Sequence, residues 1–267
     1  MQLRIFTFFG HLRGLFTRSF LPVFVVAAIA LCPSAQAATV HVAVAANFAS
    51  PLKVIATEFE RASGHTVVSS SASTGKLYSQ IKNAAPFDVL LSADDETPVL
   101  LQSEGLAVSS TRFTYAVGRL ALWSTDDKLV DANGDVLKLG KFYRLALASP
   151  KAAPYGAAAV EALLKLNLLN ALEPKFVTGE SIAQAYSFVA SGNVPLGFVA
   201  LSQVLENGKL KSGSMWKVPA DLHAPLKQDA VLLTHARSNA AAIAFMAFLK
   251  SDATRITIRS FGYETPD

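Results

Sequence analysis

Short apolar segments rich in β-branched residues alternate with amphipathic helical segments from residue 38 onward. Residues 39–45 predict a buried strand, and Ser50-Pro51 predicts the start of a helix, because serine caps helices and proline fits their first turn. The alternation recurs along the chain, and its last segment is a predicted helix over 239–250. It indicates an α/β protein with mainly parallel sheets.

A polar interval over residues 124–140 interrupts the alternation, and a second series of strands and helices follows it. We therefore expect two lobes, lobe 1 formed by residues 38–118 and 224–267 and lobe 2 by residues 119–223. Extended runs through Tyr115 and over 228–233 would be the two crossings between them. A single large doubly wound sheet would show the same alternation and is the alternative.

The N-terminus has the pattern of a secretory signal peptide. Three arginines and no acidic residue precede an apolar run over 20–31, and Ala35-Gln36-Ala37 fits a cleavage site. The run is shorter than the roughly 20 residues that a membrane span needs, so we predict a signal peptide over 1–37, with an uncleaved anchor as the alternative. Cys32, the one cysteine of the sequence, follows the large residue Leu31, which disfavours lipid attachment.

Cleavage at this point would change the charge of the chain. It removes three arginines and no acid, which leaves 21 basic side chains against 20 acidic ones. A near-neutral chain without Lys/Arg runs disfavours nucleic-acid binding, and no nucleic-acid partner is expected. Without cysteine, stability has to come from apolar cores. We expect an exported, soluble, periplasmic protein.

Hydroxyl-rich and small residues stand where predicted strands lead into predicted helices. The main example is the stretch 69–76, SSSASTGK; the other such loops are Ala46-Asn47, Pro154-Tyr155-Gly156 and residues 179–182, GESI. Helix starts offer unpaired N–H groups and a partial positive charge, so these loops could together hold an anion. For Asn47, Ser73, Thr74 and Ser181 taken singly, helix capping is the favoured interpretation.

Other chemistries find less support. Gly75-Lys76 resembles part of a nucleotide-binding loop, but Leu77 replaces the required Ser or Thr. The four histidines after residue 37 lack metal-ligand spacing, and no metal is expected to bind through direct protein ligands. Asp94 or Asp95 is expected to cap a helix. An enzyme using Asp88, Asp94 or Glu180 as acid or base remains an alternative, although no nucleophile constellation accompanies them.

Four ordered motifs resemble those of the periplasmic molybdate-binding proteins of ABC importers. They are VAVAANF at 42–48, SASTGKLY at 71–78, APFDVLLSAD at 85–94 and VPLGFV at 194–199. The resemblance runs over nearly the whole chain after the signal peptide. It implies a two-lobed type II periplasmic binding protein fold with a ligand cleft between the lobes.

The resemblance also implies a ligand set. Asn47 takes the position of a donor after the first strand, with Ala46 beside it. Thr74 takes the position of the second-loop serine, with Ser73 as the competitor if the register shifts by one. Tyr155 and Ile182 take the donor positions of the second lobe, Ile182 through its backbone N–H. Some members of the family have a tyrosine where this chain has Ala200, and Tyr155 is then expected to supply a hydroxyl from the opposite loop.

The function that the resemblance implies is capture of molybdate or tungstate and delivery to an ABC permease in the inner membrane. We expect a monomer without enzymatic activity or cofactor. A receptor for sulfate, phosphate or a small organic anion is the alternative among binding proteins. A structural or adhesive role is disfavoured by the ordered loops at the helix starts.

Overall fold

The structure is a computed structural model that describes residues 37–266. The predicted signal peptide lies outside the described residues except for Ala37.

Two five-stranded sheets organise the described part of the chain and form the cores of two lobes. The strand order is β2-β1-β3-β12-β4 in lobe 1 and β11-β5-β8-β6-β7 in lobe 2. The strands of the lobe 1 sheet are β1 (Thr39–Ala45), β2 (Thr66–Ala72), β3 (Val89–Leu91), β4 (Phe113–Gly118) and β12 (Leu226–Leu232). Those of the lobe 2 sheet are β5 (Leu120–Ser124), β6 (Leu145–Ala148), β7 (Phe176–Gly179), β8 (Leu196–Ala200) and β11 (Ser214–Lys217). A separate two-stranded hairpin is formed by β9 (Leu205–Glu206) and β10 (Lys209–Leu210).

Helices cover these sheets. Those of the lobe 1 segments are α1 (Ala49–Ser63), α2 (Thr74–Lys82), α3 (Glu96–Ser103), α9 (Ala240–Phe248) and α10 (Asp252–Ser260). Those of the lobe 2 segment are α4 (Val136–Leu139), α5 (Pro154–Lys165), α6 (Leu169–Leu172), α7 (Ile182–Ala190) and α8 (Leu201–Val204). A short 3₁₀ turn, Ala46–Phe48, joins β1 to α1.

Local chemistry explains the end of α1 and the start of α9. Helix α1 buries Leu52, Ile55 and Phe59 at helical spacing against the lobe 1 sheet. It ends at Gly64, whose φ of 71° suits glycine and lets its N–H donate to the Glu60 carbonyl. At the start of α9 the Asn239 side chain accepts from two backbone N–H groups.

The expectation of mainly parallel sheets is wrong, because each five-stranded sheet has two parallel and two antiparallel strand pairs. In lobe 1, β1 pairs in parallel with β2 and β3, while β12 runs antiparallel to β3 and β4. In lobe 2, β6 is parallel to β7 and β8, whereas β5 is antiparallel to β8 and β11. The antiparallel strands β5 and β12 each follow a crossing between the lobes, so no helical crossover fixes their direction.

The run of residues predicted as one extended segment around Tyr115 is two strands in two sheets. Strand β4 ends at Gly118 and β5 begins at Leu120, so Arg119 alone connects the lobes at this crossing. The return crossing leads from β11 to β12, and Leu226 at the start of β12 pairs in register with Gly118. The two crossings therefore lie side by side. The strands of each five-stranded sheet all belong to one predicted lobe. The boundaries between the lobes at 118/119 and 223/224 stay a prediction.

The hydroxyl stretch is divided between a strand and a helix. Residues 69–72 extend β2 instead of forming a loop, since β2 is an edge strand whose backbone pairs with β1 while its exposed side chains need not be apolar. Helix α2 starts at Thr74, within the stretch 69–76 that the sequence predicts as a loop before the helix. Helix α10 was not predicted.

Candidate anion-binding site

A small cavity lies between the lobes and brings the predicted ligand residues together. It is lined by Ala45, Ala46, Asn47, Ser73, Thr74, Ala93, Ala153, Pro154, Tyr155 and Ile182. The list includes every residue of the predicted ligand set, from both lobes. Whether each of them contacts a ligand stays a prediction.

Four helical starts meet at this cavity. Helices α2, α5 and α7 begin at Thr74, Pro154 and Ile182, and the 3₁₀ turn begins at Ala46. The N–H groups of a first turn have no partner within their own helix, and they carry a partial positive charge. Proline has no N–H, so the first N–H donor of α5 belongs to Tyr155. An anion in this cavity would therefore meet helix starts from both lobes.

The two hydroxyls at the start of α2 are not consumed by capping. Ser73 occupies the N-cap position, but its side chain makes no capping hydrogen bond. Thr74 Oγ1 accepts the backbone N–H of Ala93 at 3.1 Å, which leaves the hydroxyl proton of Thr74 to donate elsewhere. Both residues are almost fully buried. Either hydroxyl is able to donate to an anion in the cavity.

At the start of α7 the serine does act as a cap. Ser181 Oγ accepts the backbone N–H of Gln184 at 3.3 Å. The next residue, Ile182, lines the cavity with its buried side chain, and its carbonyl accepts from Gln203 Nε2. What Ile182 offers to an anion is therefore its N–H at the first helical position.

The side chain of Asn47 is engaged away from the cavity. Its Nδ2 donates to Gln228 Oε1 at 2.8 Å and to the Tyr263 hydroxyl oxygen at 3.0 Å. The backbone carbonyl of Asn47 accepts from the hydroxyls of Ser202, at 2.9 Å, and Tyr263, at 2.8 Å. With both amide hydrogens in use, the donor that Asn47 can offer to an anion is its backbone N–H. The role of its amide as a ligand stays a prediction.

The hydroxyl of Tyr155 also has a protein partner. It accepts from Gln228 Nε2 at 3.0 Å, close to the first crossing between the lobes. Ala200, where some relatives were expected to have a tyrosine, is buried at the end of β8, and its N–H donates to Gln203. The expected donation from the Tyr155 hydroxyl to a ligand stays a prediction.

Sequence reasoning missed the buried polar residues behind the cavity. Gln228 is fully buried on β12, where its Oε1 accepts from the Tyr115 hydroxyl. Ser202 and Tyr263 are hydrogen-bonded to Asn47 and to each other. A glutamine and an aspartate at the start of the otherwise apolar run QDAVLL were the available signal, since buried polar side chains need partners. Burial raises the pKa of Tyr263 to about 12 and the pKa values of Tyr115 and Tyr155 well above their ordinary value. These hydroxyls therefore stay protonated and neutral.

Within the described part of the chain, no charged side chain lines the cavity. Lys76 Nζ and Glu180 Oε2 form an ion pair at 3.7 Å in a neighbouring pocket, which shares Ser73 with the cavity and which we call its mouth. Both side chains are more than half exposed, so water screens the pair. A backbone hydrogen bond from Gly75 N–H to the Ala152 carbonyl, at 3.0 Å, also joins the lobes here.

The carboxylates considered for acid or base chemistry do not meet in this cavity. Asp88 accepts the His41 backbone N–H at 2.7 Å, and Asp94 accepts from Ser92 and Thr97. The bond from the Thr97 N–H to Asp94 Oδ1 confirms that Asp94 caps a helix start. Burial raises the pKa of the Asp94 carboxyl. Glu180 is exposed at the mouth.

No helix within residues 37–266 is long and apolar enough to cross a membrane. Within the same range no three His, Cys, Asp or Glu side chains are grouped so that they could hold a metal ion.

Comparison with known proteins places the chain among characterised sequences and structures. The family model of the bacterial extracellular solute-binding proteins matches residues 40–264. The molybdate-binding protein ModA of Azotobacter vinelandii is 54% identical over 233 residues, which cover 87% of this chain and 92% of that protein. ModA of Rhodobacter capsulatus is 51% identical over 231 residues, which cover 86% of this chain and 90% of that protein.

A solved structure agrees with this placement. The periplasmic molybdate-binding protein of Azotobacter vinelandii superimposes with a TM-score of 0.83 and 39% identity, over 85% of this chain and 100% of that one. The two-lobed type II periplasmic binding protein fold that the sequence predicted is confirmed.

Proposed function

Because this chain belongs to the bacterial extracellular solute-binding proteins, and within them to the molybdate-binding proteins, we propose that it captures molybdate and tungstate and delivers them to an ABC permease. The observation that carries the proposal is the cavity between the lobes, which is lined by neutral residues and by helix starts from both sides.

The chemistry of the cavity suits a fully ionised tetrahedral oxyanion. Such an ion has only acceptor oxygens, so every partner has to be an N–H or O–H donor. Monoprotonated phosphate would need an acceptor for its proton, and no carboxylate of residues 37–266 lines the cavity. Sulfate has the same proton-free chemistry as molybdate, so discrimination between them rests on the size of the closed cavity.

Calorimetric titration with molybdate, tungstate, sulfate and phosphate tests the proposal. We expect tight binding of molybdate and tungstate and much weaker binding of sulfate and phosphate. Tight sulfate binding without a molybdate response would overturn it in favour of a receptor for another oxyanion. A thermal-shift series with the same four ions provides a second readout, because a ligand that binds only the folded state raises Tm.

We further propose that the protein is a binding protein without enzymatic activity or cofactor. The positions of Asp88, Asp94 and Glu180, each engaged outside the cavity, support this. Hydrolysis of phosphate or sulfate esters by the purified protein, abolished by Asp94→Asn, would contradict it.

The remaining proposals concern location and partners. The signal peptide pattern and the periplasmic relative support a periplasmic protein cleaved after Ala37. N-terminal sequencing of the protein from a periplasmic extract tests the cleavage site.

We also propose that the protein is a monomer, which light scattering would check. Delivery to a permease would appear as molybdate-dependent stimulation of ATP hydrolysis by the reconstituted transporter.

A further inference from the structure

The hydroxyl of Tyr155 lies in a closely fitting space formed by two residues of the other lobe. Tyr155 belongs to α5 of lobe 2, whereas Gln228 is on β12 and Gly118 ends β4, both strands of the lobe 1 sheet. Gln228 Nε2 donates to the hydroxyl oxygen at 3.0 Å. A Cβ on Gly118 would overlap that oxygen and would lie 2.6 Å from Gln228 Nε2. The space exists because residue 118 has no side chain.

Glycine at position 118 is required for space rather than for backbone conformation. Its φ lies outside the left-handed region, so alanine fits the backbone here. This distinguishes it from Gly64, Gly105 and Gly192, whose φ values are positive and whose missing Cβ atoms would meet nothing within 4 Å. An alanine at 118 would therefore act by excluding the Tyr155 hydroxyl.

The hydrogen bonds of Gln228 fix the direction of its amide. Its Oε1 accepts from Asn47 Nδ2 at 2.8 Å and lies 3.2 Å from the Tyr115 hydroxyl. With donors on that side, the NH₂ group has to face Tyr155. The side chain is fully buried, so loss of one partner leaves an unsatisfied polar group.

These contacts couple the anion cavity to the crossing between the lobes. Tyr155 and Asn47, which line the cavity from opposite lobes, are both held by Gln228. Gly118 is the last residue of its strand before the chain passes to lobe 2 through Arg119. Movement of lobe 2 away from lobe 1 would withdraw the Tyr155 hydroxyl from between Gly118 and Gln228.

We propose that Gly118 and Gln228 are positioning residues that receive the Tyr155 hydroxyl when the lobes close, which stabilises the closed state and sets the first turn of α5 against the anion. This inference rests on the proposed function, since it assigns the closing step to capture of an oxyanion. Neither residue needs to touch the ligand.

A double-mutant cycle tests this coupling. Gly118→Ala, Tyr155→Phe and the double variant are compared with the wild type by molybdate calorimetry and by the fall in radius of gyration on adding molybdate. We expect Gly118→Ala to weaken binding about tenfold, equivalent to about 1.4 kcal/mol, and to reduce the compaction. In the Tyr155→Phe background the same change should cost about threefold or less, because the collision with the hydroxyl oxygen is gone. The close contacts that remain are with Gln228 Nε2 at 2.6 Å, the end of a flexible side chain, and with the ring carbon Cζ of residue 155 at 3.0 Å.

A control and a second variant complete the experiment. Tyr143→Phe removes an exposed hydroxyl of lobe 2 and should change neither readout. If Gly118→Ala does not fold, Gln228→Met removes the donor to Tyr155 and should raise the molybdate dissociation rate and reduce compaction. Equal effects of Gly118→Ala in both backgrounds, or wild-type binding and compaction in Gly118→Ala, would overturn the inference.

The two proposals fail in different ways. A wild-type protein that binds none of the four oxyanions contradicts the proposed function alone. In that case the Tm of the ligand-free wild type, of both single variants and of the double variant is compared. Additive changes in Tm overturn the positioning role, and non-additive changes support the contact between Gly118 and the Tyr155 hydroxyl.

Discussion

The backbone N–H of Ala93 donates to the hydroxyl oxygen of Thr74 at 3.1 Å. This bond joins the loop after β3 to the first residue of α2, and both residues line the cavity between the lobes. Since the oxygen accepts from Ala93, the proton of Thr74 is directed away from that loop. The orientation of the Thr74 hydroxyl, a predicted ligand donor, is thus set by a residue 19 positions further along the chain.

Thr74→Ala should weaken molybdate binding by about tenfold or more, because a buried hydrogen bond to a charged ligand contributes about 1.5–3 kcal/mol. Thr74→Ser keeps the hydroxyl and should retain most of the affinity. Ser79→Ala, which removes a hydroxyl bonded to the Gly75 carbonyl on the same helix, is the matched control in calorimetry. Unchanged affinity in Thr74→Ala would show that Thr74 is not the donor.

Ser73 and Ser181 should respond differently to alanine, although both are N-cap residues. Ser181 accepts a capping hydrogen bond and Ser73 does not. Ser181→Ala should therefore lower the free energy of unfolding by about 0.5–2 kcal/mol. Ser73→Ala should leave stability nearly unchanged and weaken binding if its hydroxyl donates. Denaturant melts beside calorimetry separate the two effects, and a stability loss confined to Ser73→Ala would contradict this assignment.

Charge at the mouth of the cavity should govern the rate of capture more than stability. Lys76 and Glu180 form an exposed pair there, and a dianion approaching it is repelled by the carboxylate. Glu180→Gln should raise the association rate constant for molybdate about two- to fivefold at low salt, and Lys76→Gln should lower it. Stopped-flow measurements at rising ionic strength check this. Rate changes that persist at high salt would argue against steering.

Anion binding should be independent of pH between about 6 and 9, where none of the cavity-lining groups titrates. Stability should fall at higher pH. Burial raises the pKa of Tyr263 from 10.0 to about 12, so the unfolded chain loses this proton first. The unfolded state then binds fewer protons than the folded state, and the free energy of unfolding decreases as pH rises above about 10. Melts of Tyr263→Phe, with a smaller alkaline loss, test the assignment.

Local patterns in the sequence predicted the elements that carry their own signals. The strand over 39–45 was predicted to the residue, since a β-branched apolar run bounded by a turn needs no distant information. The end of α1 at Gly64 follows from the left-handed backbone that glycine allows. The predicted start is wrong: α1 begins at Ala49, so Ser50 lies inside the helix, and Phe48 at the N-cap makes no side-chain hydrogen bond. By contrast, the direction of β5 and β12 and the strand over 69–72 depend on which neighbours pair with them.

The same division holds for the site. The sequence by itself determined that small and hydroxylic residues stand at four helix starts, because an N-cap and a first turn are set by neighbouring residues. Only the tertiary structure decided that Ser181 caps while Ser73 does not, and that Gln228 holds Asn47 and Tyr155 from 181 and 73 residues away. Contacts over such separations depend on how the two lobes pack together, which no local pattern encodes.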